Sequence, residues 1–213
     1  MNVETFVQET IAGPGALSVE GIAFREKQVA EAAIALKEAK RLATAADAKA
    51  LALGKKQTAI NSRLADVNAA IRDKAGLRAV VADLKAVKAE VARRSSLEAE
   101  HRLLSEALQF LVGGEMADAE LSAKEARLDI KRAERDWVDA KGREETATLW
   151  AALAPAMKKD PNLTIQLDRG GVIVEYVKKL AELDAELDQI GAALARETQL
   201  VRQQQQGTGA LAE

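Results

Sequence analysis

The stretch IVEYVKKLAELDAELDQIGAALARETQLV, residues 173–201, carries the strongest structural pattern in the chain. Its apolar residues recur at alternating spacings of three and four over about four heptads. They are Ile173, Tyr176, Leu180, Leu183, Leu187, Ile190, Leu194 and Val201, and Glu197 is the one interruption. Such a repeat lines one face of an α-helix. The stretch therefore predicts a long helix that packs lengthwise against another helix, as in a coiled coil or a bundle.

Two earlier stretches repeat with the same period but are rich in Ala. Ser18 is the expected N-cap of the first, whose seam comprises Ile22, Arg25, Val29, Ala32, Leu36, Ala39, Ala43, Ala46, Ala50 and Leu53. The second comprises Ala126, Ile130, Ala133, Trp137, Ala140, Ala147 and Ala154. An Ala seam lets a neighbouring helix approach closely, but it buries little apolar area per residue. We therefore expect these helices to need more than one neighbour.

The composition supports a mainly α-helical chain with a thin core. Of the 213 residues, 48% are apolar and 30% are charged, but only 3% are aromatic, and about one in five is Ala. This composition is typical of long helices and coiled coils, whereas aromatic side chains normally supply much of the burial in a wide core. The sequence therefore predicts a mainly α fold, either an elongated antiparallel coiled-coil hairpin or a helical bundle.

Breaks in the periodicity divide the first half of the chain. Gly13-Pro14-Gly15 ends a short N-terminal segment, residues 1–17. A helical arm then covers residues 18–112, with breaks near Gly54 and Gly76 that are either turns or positions inside a continuous helix. After Gly76 the apolar phase shifts twice, first to Leu77, Val80, Leu84, Val87 and Val91, and then to Leu97, Leu104, Leu108 and Leu111. Phase shifts of this kind mark stutters or helix ends.

Gly113-Gly114 is the clearest break, because paired glycines favour helix C-termini and turns. A second helical arm follows at residues 115–158 and ends at Pro155 and Asp160-Pro161. The glycine pair lies near the middle of the chain. It is therefore the expected turn of an antiparallel hairpin, unless Gly54 and Gly76 fold the first arm back into a shorter bundle.

Residues 162–176, NLTIQLDRGGVIVEY, admit two structures. Leu163, Ile165 and Leu167 alternate with polar residues, and Val172 to Tyr176 alternate in the same way beyond a Gly-containing turn. This pattern favours a small β-hairpin at about 163–176. Because Ile173 and Tyr176 also belong to the heptad repeat, the alternative is a loop that enters the final helix. With the hairpin, a C-terminal helix covers residues 177–206, and residues 207–213 form a flexible tail.

The sequence contains no complete catalytic or metal-binding motif. The chain has no Cys and one His, so it can form neither disulfides nor thiolate metal sites. Glu98 and His101 have the Glu-x-x-His spacing of di-iron helices, but a second such pair would have to come from another copy. Gly54-Lys55-Lys56-Gln57 lacks the remaining residues of a P-loop. We therefore predict no enzymatic activity, cofactor or metal, and no small-molecule substrate is evident.

The charge distribution makes nucleic-acid binding the alternative hypothesis. The 31 basic and 33 acidic residues give a net charge of -2, which provides no general attraction to nucleic acids or anionic lipids. Lys124, Arg127, Lys131 and Arg135 can line one helical stripe, here called the basic stripe, and are weak candidates for phosphate contacts. Acidic residues interleave with them, and no set of stacking aromatic residues accompanies them.

The main hypothesis is a non-enzymatic coiled-coil structural or adaptor protein. It would act through a protein partner or self-association in a larger assembly, such as a phage or bacterial assembly component or inhibitor. The run LWAALAPAM, residues 149–157, is apolar all round and supplies several candidate interface residues. The full set is Trp150, Leu153, Met157, Ile165, Leu167, Leu180, Leu187 and Leu194. With no signal peptide and no span-length apolar run, we expect a cytoplasmic location or one within a virion or other assembly.

Overall fold

The computed structural model describes residues 2–160 and 171–209, and this part of the chain is almost entirely helical. Its α-helices are α1 (Val3–Ile11), α2 (Val19–Arg72), α3 (Ala75–Ala82), α4 (Val87–Phe110), α5 (Ala117–Lys159) and α6 (Val172–Gly209). A 3₁₀ turn, Leu84–Ala86, precedes α4, and a π-helical turn, Leu111–Met116, joins α4 to α5. Neither a β-strand nor a helix apolar enough to cross a membrane occurs in the described ranges. The prediction of a mainly α hairpin or bundle is confirmed.

The chain forms two compact units. Among the described residues, the first unit lies within Met1–Thr44 and Lys124–Thr198, and the second lies within Ala45–Ala123 and Gln199–Glu213. In the first unit, α1 and the start of α2 pack with α5 and α6. Its core consists of Phe6, Val7, Val138, Trp150, Ile173, Val177, Leu180 and Leu183. The core combines residues distant in sequence, so its stability depends on tertiary packing.

Side-chain caps start the first two helices of this unit. Asn2 Oδ1 accepts a hydrogen bond from the backbone N–H of Thr5 at 2.7 Å. Ser18 Oγ accepts one from the N–H of Gly21 at 3.1 Å, which confirms the N-cap predicted for the second helix. Gly13 and Gly15 in the intervening loop have φ values of 102° and 82°, a backbone conformation that favours glycine.

The second unit contains an antiparallel pair formed by the later part of α2 and by α4. Arg63 Nε donates to Glu100 Oε1 at 2.6 Å, and Arg93 Nη1 donates to the carbonyl of Ala70 at 3.4 Å. In these contacts the residue number in α4 falls as the residue number in α2 rises, so the two helices run in opposite directions. A small buried cluster in the same unit joins Leu53 of α2 to Leu111 of the π-helical turn and Ala119 of α5.

The heptad seams predicted from the sequence are the inward faces of their helices. Every one of the ten seam residues of α2 is buried or half-buried, and so is every seam residue identified in α5 and α6. Among the ten in α2, only Ala43 and Leu53 are fully buried. The seams therefore identify the packed face correctly, while the small side chains leave most positions half-exposed.

Gly54 is not a turn, because it lies inside α2. The heptad spacing continues through it to Gln57, Ile60 and Leu64, all half-buried. A glycine inside a helix costs only about 1 kcal/mol relative to Ala. Continuous packing on both sides outweighs this cost, and the break near Gly54 is corrected accordingly.

Replacing Gly54 by Ala should raise the free energy of unfolding by about 0.5–1 kcal/mol. A Cβ there would meet no other atom within 4 Å. Gly21→Ala is the contrasting variant, because its Cβ would overlap the backbone oxygen of Gly15 and should destabilise the loop before α2. Urea unfolding followed by circular dichroism measures both. A loss at Gly54, or a gain at Gly21, would contradict this account.

The chain reverses between α2 and α4, around Gly76. Asp73 Oδ1 accepts from the backbone N–H of Ala75 at 3.0 Å, and Asp83 Oδ1 accepts from that of Lys85 at 2.9 Å. These side chains satisfy backbone donors at the starts of α3 and of the 3₁₀ turn. Glu90 lies against Gly76 so closely that a Cβ on Gly76 would overlap its carboxylate. A side chain at this position would therefore force the Glu90 carboxylate to move.

The apolar repeat predicted just after Gly76 is wrong, because Glu90 takes an inward position there. Val87 and Val91 were expected in the packed seam, but they are 39% and 61% exposed, whereas Glu90 is 8% exposed. Its carboxylate accepts hydrogen bonds from Arg93 at 2.9 and 3.0 Å and from Arg94 at 2.7 Å. An acid satisfied by two arginines thus occupies the inward position, and the neighbouring valines point away from the core.

Acidification should weaken the second unit through Glu90. Hydrogen bonds from Arg93 and then Arg94 lower the pKa of Glu90 from 4.5 to about 2. A lowered folded-state pKa contributes stability that is fully present above about pH 4.5 and is lost as the pH falls towards 2. The stability difference between wild type and Glu90→Gln should therefore be largest at neutral pH and shrink below pH 4.5. Urea unfolding at several pH values measures it.

Glu98→Gln is the matched control, because Glu98 is exposed on the same helix. This variant should follow the wild-type pH profile. A constant difference between wild type and Glu90→Gln from pH 7 to pH 2.5 would show that the carboxylate charge does not contribute.

Gly113-Gly114 does not separate two arms. Both residues lie in the π-helical turn, and helical backbone continues from α4 through this turn into α5. Inward residues Leu104 and Leu111 are seven residues apart, but the next buried residue, Ala119, follows after eight. A π-helical turn absorbs one extra residue without breaking the helix, so the glycines accommodate a shift in register and not a chain reversal.

The β-hairpin prediction is wrong for its second strand. Helix α6 begins at Val172, and the backbone N–H of Val174 donates to the carbonyl of Gly171 at 2.9 Å. The heptad repeat, and not the alternation, determines this segment. The proposed first strand, residues 163–167, lies outside the described residues. Helix α6 extends beyond the predicted limits of 177–206 to Gly209, and residues 210–213 are also outside the described range.

Candidate interaction surface

The basic stripe lies on α5 and faces acidic residues of α6. Three of its cations pair with carboxylates of that helix: Lys124 with Glu197 at 2.6 Å, Lys131 with Glu186 at 2.8 Å, and Arg135 with Asp184 at 3.0 Å. The order of the pairs shows that α5 and α6 run antiparallel. Partly exposed ion pairs contribute only about 0–1 kcal/mol each. The repeated ion pairs therefore add little stability, and their main effect is to fix the register between α5 and α6.

This pairing changes the interpretation of the stripe. Hydrogen bonding to Glu186 raises the pKa of Lys131, and the same contact lowers the pKa of Glu186. Arg127 is exposed on the same helix and also interacts with a neighbouring group. A phosphate would have to displace carboxylates from the three paired cations. The stripe therefore serves the contact between α5 and α6, and its geometry does not favour phosphate binding.

The residues predicted to contact a partner are divided between core and surface. Trp150 and Leu180 belong to the core of the first unit. Leu153, Leu187 and Leu194 are half-buried, and Met157 is 37% exposed. Ile165 and Leu167 lie outside the described residues. The apolar run at 149–157 is therefore partly core, with Leu149 and Met157 on its exposed side.

Two arginines hold α1 against the rest of the first unit. Nothing in the sequence assigned either of them this role. Arg143 lies over the ring of Phe6, 5.0 Å from its centroid, and its Nη2 donates to Glu9 Oε2 at 3.2 Å. Nε of the same arginine donates to Asp139. Cation–π contact and ion pairing thus act on the same side chain, and α1 is joined to α5 through it.

Arg25 makes the second contact with α1. Its Nη2 donates to the backbone oxygen of Thr10, one of the last carbonyls of α1, which lack partners within the helix. Burial, and then the charge of Arg143, lowers the pKa of Arg25. Its Nε is buried without a hydrogen-bond partner. Because Arg25 is a charged residue at a seam position, the sequence did indicate a polar contact there. The partner of Arg25 could not be identified without the fold.

Large apolar side chains remain exposed along the described helices. Sixteen of them are exposed, as many as the sixteen hydrophobic residues that are buried. Single exposed hydrophobic residues are normal on protein surfaces, so only those that share a helix face are informative. Leu103 and Phe110 on α4 are seven residues apart and are 66% and 70% exposed. This face of α4 is the strongest candidate for an interaction surface.

The Glu98 and His101 pair also lies on α4, where Glu98 is exposed and His101 is half-buried. Within the part of the chain that the structure describes, no group of three or more His, Asp or Glu side chains is placed to hold a metal ion. Comparison of the chain with protein-family models, with curated proteins and with solved structures gives no match.

Proposed function

We propose that the protein is a non-enzymatic structural or adaptor component that acts through coiled-coil contacts with other protein chains in a larger assembly. The observation that carries this proposal is the exposed apolar face of α4, marked by Leu103 and Phe110. Apolar residues on one face of a helix favour lengthwise packing against another helix. The protein would therefore bind partners with its helices.

The packing within each unit supports the same proposal. The Ala-rich seams leave most of their positions half-exposed, so the hydrophobic gain from internal packing is small per residue. Additional helices from a partner would bury more of this surface. The exposed apolar side of the α5 end, at Leu149 and Met157, provides a second place where a partner helix can bind.

Cross-linking mass spectrometry on the protein isolated with its native partners tests this function. We expect reproducible cross-links from Lys88 on α4 and Lys158 on α5 to defined sites of another protein. The double variant Leu149→Lys and Met157→Lys should remove the Lys158 cross-links, since it introduces charge into an apolar contact. The control Lys178→Glu changes an exposed residue of α6 and should retain them. Recovery of the protein without cross-links to any second chain, whether another protein or a second copy of its own, would reject the proposal.

A further inference from the structure

Helix α4 carries a second heptad stripe on its exposed side. Its inward seam consists of Leu97, Leu104 and Leu108 and continues to Leu111 of the π-helical turn, and all four residues are buried or half-buried. A different set of residues has alternating spacings of four and three and is exposed at every position: Ala92, Ser96, Ala99, Leu103, Glu106 and Phe110, here called the α4 stripe. A heptad spacing on an outward face indicates a second helical neighbour.

The α4 stripe is self-complementary in size. In an antiparallel pair of identical helices, residues whose numbers have a constant sum face each other across the two-fold axis. With the axis at position 101, Ala92 faces Phe110 and Ala99 faces Leu103, each from the opposite copy. A small residue thus faces a large one in all four apolar layers, which is the arrangement that lets side chains interdigitate.

The remaining layers are complementary in polarity. With the same axis, Ser96 faces Glu106 of the other copy, and its hydroxyl can donate to that carboxylate. Within its own chain, Glu106 Oε1 lies 3.0 Å from Arg102 Nε, so its charge is already compensated. Two such polar layers lie among the four apolar ones, one on each side of the two-fold axis. Polar residues at heptad core positions fix the register of a helix pair at some cost in stability.

We infer that a second copy of this chain packs antiparallel on the α4 stripe and forms an isologous dimer. This inference rests on the proposed function, because it names one partner for helix-mediated binding. A helix contact of this length buries on the order of 1,000 Å² in total, the lower limit for a specific interface. The dimer is therefore expected to be weak and dependent on concentration.

Sedimentation of the purified full-length chain over a concentration series tests dimer formation. The wild-type chain should dimerise at the higher protein concentrations of a series in the micromolar range. Leu103→Lys and Phe110→Lys should each raise the dissociation constant of the dimer about tenfold or more. Phe24→Lys, at an exposed residue of α2, should have no effect. Because all three side chains are exposed, circular dichroism should stay unchanged. A wild-type monomer at every concentration, or a dimer insensitive to Leu103→Lys, overturns the inference.

Cysteine cross-linking tests the antiparallel register, and the natural chain contains no Cys that would interfere. A mixture of Ser96→Cys and Glu106→Cys chains should form a covalent heterodimer under mild oxidation. Either variant alone should not, because identical positions are then about 15 Å apart along the axis, too far for a disulfide. Cross-linking of each variant with itself would indicate a parallel pair and overturn the inference. Failure of both tests would leave partner cross-links from Lys88 and Lys158 unaffected, so the proposed function is tested separately.

Discussion

Replacing Leu183 by Ala should lower the free energy of unfolding of the first unit by about 3–5 kcal/mol. Leu183 is completely buried, with Leu180 beside it in the same cluster. Deleting its branched end removes apolar contacts and leaves a cavity among side chains held by several helices. Both Trp residues of the chain lie in this unit, so their fluorescence during urea unfolding reports on it.

Leu42→Ala is the control for Leu183→Ala. Leu42 belongs to the same unit but is 51% exposed on α2, so its truncation should cost less than about 1 kcal/mol. Similar losses for the two variants would mean that α6 does not provide the main core. A loss confined to Leu183→Ala would establish that the heptad face of α6 stabilises the unit.

Leu183 could be predicted to be inward because its position follows from a local pattern. Heptad spacing assigns one face of each helix to the interior, whichever helix lies opposite. The same pattern assigned Ala43 and Leu180 correctly, and both are buried. Local periodicity was therefore sufficient to recognise a helical fold and to identify the packed faces of α2, α5 and α6. It was wrong at the start of α4, where Glu90 is the inward residue.

The position of the chain reversal could not be predicted, because glycine has different roles in different contexts. Gly54 is tolerated inside α2, Gly76 admits Glu90 at the reversal, and Gly113 takes part in the π-helical turn. These outcomes depend on what packs beside each glycine. Sequence spacing showed that the register changed, but it could not show whether a turn or an inserted residue changed it.

The candidate interaction surface could not be predicted from the sequence, for a related reason. Lys131 looked like a phosphate contact until the register of α6 placed Glu186 beside it. Conversely, the sequence placed Leu104 in an apolar repeat, but it did not show that the neighbouring Leu103 would be 66% exposed. Ion pairing and the degree of exposure depend on which helix lies opposite and on how the two are aligned, and the spacing of apolar residues does not determine either.

Replacing Phe6 by Ala should release α1 from the first unit. Phe6 is completely buried, lies beneath Arg143, and its ring packs so closely on Gly142 that a Cβ there would be 3.1 Å from Phe6 Cζ. A nine-residue helix is not stable in water by itself. We therefore expect a loss of about 3–5 kcal/mol, limited to the stability that docking of α1 provides.

Hydrogen exchange distinguishes release of α1 from general destabilisation. In Phe6→Ala, the amides of α1 should exchange much faster, while those of α6 should keep most of their protection because its packing against α5 persists. Phe24→Ala removes a ring that is 60% exposed and should change neither helix. Unchanged protection of α1 in Phe6→Ala would mean that Arg25 and Arg143 hold the helix by polar contacts alone. Equal loss of protection in α1 and α6 would instead make α1 an integral part of the core that α6 requires.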